Sequence, residues 1–264
     1  MEQQIDWTAV SRVIAAAEAA GMVLGVAAVA PGGARFSHRG ERRFRAASTV
    51  KIAIMIELFR RIDAGTLALD ARRVVAAADK AAGSGVLGHL HDGIELSLGD
   101  LLYLMMSISD NTATNVLIET VGIAAVNATM RALGMAQSTL GRKMAGAASG
   151  DPMRENWATP DDYGRVMGAL FANQAASAEA CAAMLAVLEQ QQNTRRIARH
   201  LPHENRPRWG SKTGSLPGVA NDVGFVMTPS GPLLIAVFCE QVADPHEGER
   251  VIGDVAAAAL RCVS

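Results

Sequence analysis

Hydrophobic and polar positions along the chain fall into blocks of different period. Over residues 6–20 apolar side chains recur at helical spacing, which predicts a helix ending at Gly21. Two short runs follow, MVLGVAAVA and RFSHRG, joined by Pro31-Gly32-Gly33, and they read as a hairpin of strands. A third short strand is expected around Arg43 to Ala46. From Ser48 the segment STVKIAIMIELFRRIDAGTL is apolar almost all round, the mark of a helix buried in the middle of the protein. Three more helical segments come next: LSLGDLLYLMMSIS, TATNVLIETVG and IAAVNATMRALG. Residues 140–158 are glycine-rich and polar and read as a long surface loop. Thr159-Pro160-Asp161-Asp162 then opens a helix with an N-cap, a proline at its first position and acids where the helix dipole favours them. Beyond about residue 205 strands return as RWGSKTG, GVANDVGFVMT and PLLIAVFCEQV, before a closing helix GERVIGDVAAAALRCV.

This order predicts an α/β (α+β) fold in which the first and last strands share one antiparallel sheet flanked by terminal helices, beside an all-helical lobe. The expected layout is a single domain over 1–264, with the sheet lobe at about 1–47 and 205–264 and the helical lobe at about 48–204. Half the chain is hydrophobic and 19% is charged, which excludes a disordered polymer. A net charge of -1 leaves no footprint for nucleic acid or anionic lipid. The apolar stretch 13–30 is preceded by Glu2 and Asp6 and interrupted by Glu18, so it fits neither a signal peptide nor a membrane span. The expectation is a cytoplasmic monomer, or a periplasmic or secreted one if a leader was removed. Three cysteines without metal-like spacing and six unpaired histidines give no reason to expect a metal or cofactor.

Only four of the 25 basic residues are lysines, so a patterned lysine is informative. Ser48-Thr49-Val50-Lys51 places an amine three residues after a hydroxyl, on one helical face and over it. Lys51 is also the sole charge between Arg45 and Glu57, in a segment otherwise fit for a core. Burying an unpaired ammonium is costly, and a buried amine with a lowered pKa is the base a serine nucleophile needs. Ser109-Asp110-Asn111 lies between two apolar helices; read by itself, it is equally a helix boundary capped by Asp110 or Asn111. Lys212-Thr213-Gly214 lies in a strand, where a lysine otherwise protects a sheet edge and the glycine lets a ligand approach the backbone.

Taken together, S-x-x-K, S-D-N and K-T-G, spaced by 61 and 103 residues, resemble the motif set of class A β-lactamases and penicillin-binding proteins. GSGVL around Ser84 and GVANDVG after the third motif strengthen the likeness. The resemblance implies that Ser48 is the acylated nucleophile and Lys51 its base or proton relay. It implies that Ser109 passes a proton to the leaving atom, with Lys212 holding that hydroxyl electrostatically. Asn111 would bind a substrate amide, Thr213 and Lys212 a substrate carboxylate, and the backbone amides of Ser48 and Ser215 would form the oxyanion hole beside Gly214.

Two departures stand out. The family carries a glutamate, with an asparagine four residues on, in the loop before the Thr-Pro helix start, whereas Leu140 to Ser149 contain no acid. Asp151 and Glu155 are the nearest candidates, and pairing of either with Arg142 as a structural clasp is the expected use. The basic side chain that some relatives place just after K-T-G is also missing, leaving Arg206 and Arg208 as substitutes, while Asn193 to Arg199 read as a basic, solvated helix end. The implied activity is a serine acyl hydrolase acylated by β-lactams with slow release. The alternatives are a D-Ala-D-Ala carboxypeptidase or esterase, and a non-catalytic penicillin-binding sensor. In each case the partner is a small molecule.

Overall fold

The computed structural model describes residues 5–263. Helix α1 (Thr8–Ala19) is followed by β1 (Val23–Val29) and β2 (Arg35–His38), which pair antiparallel as the hairpin signal predicts. Three long strands near the other end, β7 (Trp209–Leu216), β8 (Val219–Thr228) and β9 (Gly231–Glu240), complete a five-stranded sheet in the order β2-β1-β9-β8-β7. Every neighbouring pair in it is antiparallel. Val23 pairs with Glu240, so the first strand closes on the last.

Alternation along the strands feeds two cores. One face packs Leu24, Val26, Ile235 and Val237 against Val10 and Ile14 of α1 and Val251, Ile252 and Val255 of α8 (Pro245–Val263). The other face joins Phe225, Ala236 and Phe238 to the helical part of the chain. At the centre of that part lies α2 (Lys51–Asp63), whose first nine residues are all buried, as its unbroken apolar pattern requires. Around it lie α3 (Leu98–Ser107), α4 (Asn111–Val121), α5 (Ile123–Ala132), α6 (Pro160–Phe171) and α7 (Ala178–Leu188). Thr159 caps α6 by accepting from the Asp162 amide, as the Thr-Pro signal implies. No helix among the described residues is long and apolar enough to cross a membrane.

Three local expectations are corrected. The strand expected at Arg43–Ala46 shortens to β3 (Phe44–Arg45) and stays out of the large sheet. It pairs with β6 (Trp157–Ala158), inside the segment read as loop. A further small ladder joins β4 (Arg72–Val75) to β5 (Ile94–Ser97). Ser48 itself sits in a 3-10 turn, Ala47–Val50, ahead of α2, and side chains three apart eclipse in that tighter winding.

Candidate active site

The 3-10 turn brings Ser48 to the open edge of the sheet, where β7 is the terminal strand. Close packing there requires Gly214: a Cβ on it would lie 3.1 Å from the Ser48 amide nitrogen and 3.0 Å from the Ala46 carbonyl. A side chain there would push strand and turn a few tenths of an ångström apart. On the far side, Asp110 caps α4 through the Ala113 amide, and its other oxygen accepts from the Val86 and Leu87 amides at 2.7 and 2.8 Å. Asp110 therefore acts as the boundary cap that its position allowed, and it also ties the GSGVL loop to the second motif. Gly85, at φ +110°, passes so close to it that a Cβ would collide with the carboxylate.

Two residues without the freedom of glycine adopt left-handed backbone at the cleft, Ala47 at φ 47° and Ser109 at φ 61°. Such conformations cost about 1–3 kcal/mol each and persist only where the surroundings enforce them. One immediately precedes Ser48, and the other carries the second hydroxyl.

Lys51 is fully buried. Its Nζ donates to Ser109 O at 2.8 Å, Ser109 Oγ at 3.0 Å and Asn111 Oδ1 at 3.0 Å. The amine thus engages the second motif and makes no hydrogen bond to Ser48, although the sequence spacing placed it over that hydroxyl. Three acceptors saturate an ammonium; a neutral amine has only two hydrogens and keeps a lone pair. Burial holds Lys51 well below its ordinary value near 10.5, and the charge of Lys212 pushes the same way, against the pull of Asp110.

Lys212 is also fully buried, although β7 is an edge strand, because it lies beneath the helical part instead of facing water. Its Nζ donates to Thr213 O at 2.9 Å, and the hydrogen bond to the Ser109 hydroxyl comes from Lys51. Burial pushes Lys212 down to about 7; Asp222 opposes the shift and Arg196 adds to it.

A cavity of about 60 Å³ is lined by Ser48, Ser84, Asn111 and Ser215, together with Arg142, Glu155 and Asn156 from the loop before α6. A wider groove of about 490 Å³ adjoins it, lined by Ser84, Ser109, Thr213, Ser215 and residues 191–195. The eight residues singled out by sequence therefore come together. Ser48, Asn111 and Ser215 share one cavity, Ser109, Thr213 and Ser215 share the other, Gly214 touches the Ser48 turn, and the two lysines lie beneath.

The loop acids divide as well. Asp151 caps a short turn through the Met153 amide. Glu155, 3% exposed, accepts from Arg142 Nη2 at 3.0 Å, the Ser149 amide at 2.7 Å and its neighbour's amide at 2.8 Å. Arg142 thus pairs with Glu155, one of the two partners expected. No cluster of three or more histidine, cysteine or acidic side chains able to hold a metal occurs among the described residues.

The basic-residue expectation fails. Arg208 is exposed and pairs with Glu189, and Arg206 reaches Pro202 O. Arg196, read as part of a solvated helix end, is buried in a non-helical turn. Its Nη1 donates to Gly214 O and Asn221 O, and its Nη2 to Ser215 Oγ at 2.6 Å. The uncharged stretch Ile197-Ala198 beside it was the one local hint of burial.

With this arrangement in place, the whole chain can be compared with known proteins. It matches the beta-lactamase enzyme family over residues 7–263. The chain belongs to that family. A β-lactamase from Sphaerobacter thermophilus DSM 20745 is 58% identical, with 98% of each chain covered and a TM-score of 0.95. An ancestral class A β-lactamase is 26% identical, covering 96% of this chain and 99% of that one, with a TM-score of 0.86. PBP-A, at 22% identity and a TM-score of 0.85 over 96% of this chain and 95% of its own, shares the fold. No curated relative matches. The chain is a serine hydrolase of the class A β-lactamase type.

Proposed function

We propose that this β-lactamase-family enzyme is acylated at Ser48 by β-lactams and releases the acyl group slowly. In this reading Ser48 Oγ attacks the lactam carbonyl carbon, and its proton passes to neutral Lys51. The backbone amides of Ser48 and Ser215 receive the developing oxyanion, a contribution of order 10²–10³ in rate per donor. As the carbon–nitrogen bond breaks, Ser109 gives its hydroxyl proton to the leaving nitrogen and recovers one from Lys51 across their 3.0 Å contact. Thr213 and Lys212 meet the substrate carboxylate, and Asn111 meets its amide.

The observation that carries this reading is the Lys51 contact set. A fully buried amine with a lowered pKa bonds both the relay hydroxyl and the amide-binding asparagine. Slow release rests on Glu155, the carboxylate that lines the Ser48 cavity. Both its oxygens already accept hydrogen bonds, one of them from the Arg142 guanidinium, so the carboxylate is committed to holding the loop. Without a dedicated base, deacylation loses about 10²–10⁴ in rate. Intact-mass measurement after mixing with a penicillin is the test. A lasting adduct on Ser48 supports the proposal, and fast turnover with no trapped adduct refutes it.

A further inference from the structure

The two spaces beside Ser48 differ in size and in which side chains face them. Asn111 lines the small cavity and not the groove, whereas Ser109 lines the groove and not the cavity. The cavity is pinched where the loop before α6 crosses the GSGVL segment. A Cβ on Gly146 would lie 2.8 Å from Ala82 O, and one on Gly83 would lie 2.9 Å from Gly146 Cα. With backbone against backbone there, about 60 Å³ remains, against about 490 Å³ in the groove. On the acylation reading, the acyl part of a substrate lies with Asn111 and the departing part with Ser109. The room therefore belongs to the leaving group.

The groove is walled by residues 191–195, whose main chain is tied down. Gln191 is buried and donates to Ser211 O of β7 at 3.3 Å, while its Oε1 accepts from the Asn193 amide at 3.0 Å. Asn193 Oδ1 accepts from the Arg195 amide at 2.9 Å, and the Gln192 amide donates to Ser107 O at 3.4 Å. The exposed side chains of Gln192 and Thr194 make no hydrogen bond among the described residues, and Arg195 engages Glu249 through Nε alone. A carboxamide, a hydroxyl and two guanidinium nitrogens thus stand open on a fixed backbone. Carboxamide and hydroxyl each donate and accept, which suits the amides of a peptide-like chain, and a guanidinium suits a carboxylate. We propose that the wider groove is a leaving-group site for a peptide-like acid, held by Gln192 and Thr194 at its amides and by Arg195 at a carboxylate. The proposal rests on the acylation of Ser48 argued above.

Two thioesters of N-acetylglycine test it on the whole chain, one with glutathione and one with 2-mercaptoethanol as the departing thiol. Attack by Ser48 Oγ forms the new ester and breaks the carbon–sulfur bond. The sulfur leaves with the Ser109 proton, so the first-turnover burst of thiol reads acylation. Each second-order rate constant is divided by that thioester's rate with hydroxide, which removes intrinsic reactivity. The glutathione thioester should be preferred by roughly tenfold or more, the scale of one charge-assisted hydrogen bond. The double variant Gln192→Ala/Thr194→Ala and the single variant Arg195→Gln should each cut that ratio by roughly threefold or more. Added salt should reduce the preference of the parent but not that of Arg195→Gln. All three side chains are exposed, so truncating them leaves the core intact. A parent that a fluorescent penicillin labels, but that shows no preference or reacts with neither thioester, overturns the assignment. A preference that both variants leave unchanged does the same. A parent that the penicillin never labels refutes the acylation reading itself.

Discussion

Beneath Ser48 lie Lys51 and Lys212, fully buried and without an ion pair among the described residues; across the cavity, Arg142 and Glu155 pair directly. The lysines have only neutral acceptors, and burial pushes both toward their uncharged forms. Glu155 is met by a guanidinium and two backbone amides. On the proposed reading, the lysine side of the cavity performs proton transfer and the loop side holds its shape.

The sharpest way to break this contrast is at the nucleophile. Ser48→Ala should abolish adduct formation and lower acylation by about 10³-fold or more; a penicillin adduct on the variant, read by mass, would place the nucleophile elsewhere. Next comes Lys51→Met, expected to slow acylation by about 10²–10⁴-fold, whereas Glu155→Gln should leave the release rate within about threefold. If Glu155→Gln slows release by two orders of magnitude, the loop side holds the base and the contrast is wrong. Glu155→Gln should instead cost stability, about 3 kcal/mol for breaking a buried pair, seen as a lower denaturation midpoint.

Protons sharpen the comparison further. On the proposed reading acylation uses Lys51 neutral and Lys212 charged, so its rate should fall on the alkaline side as Lys212 loses its proton near pH 7. Lys212→Arg, which stays charged, should remove that alkaline limb in a stopped-flow pH profile. Stability carries the opposite sign. The unfolded chain holds a proton on Lys212 up to its ordinary value near 10.5, and the folded chain only to about 7. The unfolded state thus binds more protons across that window, and this group favours folding more as pH rises from about 7 to 10.5. A chemical-denaturation series over that range reads the slope. The smallest expected effect lies away from both clusters: Thr159→Ala removes the α6 cap and should cost about 1 kcal/mol in a melt without altering acylation.

Much of this was legible because it is written locally. The buried α2, the Thr159 cap and the Asp110 boundary each announce themselves within a few residues, and the Pro31-Gly32-Gly33 turn fixes the first hairpin. The candidate site was legible because three short motifs carry it. What stayed hidden depends on contacts between distant segments. Arg196 reads as solvated because its neighbours are basic; nothing nearby shows that it bridges residues 18 to 25 positions away. Lys51 was placed by its spacing from Ser48, but the position of Ser109 decides where the amine points. Phe44–Arg45 reads as a strand without revealing that its partner lies at Trp157–Ala158.

The pairing of Val23 with Glu240 has a consequence for how the molecule is made. A sheet whose first strand must wait for its last has high contact order, and such topologies fold slowly. During synthesis the hairpin near the beginning has no neighbour for β1 until nearly the entire polypeptide has emerged, and its unsatisfied edge stays open to other chains. Refolding yield should therefore fall as protein concentration rises.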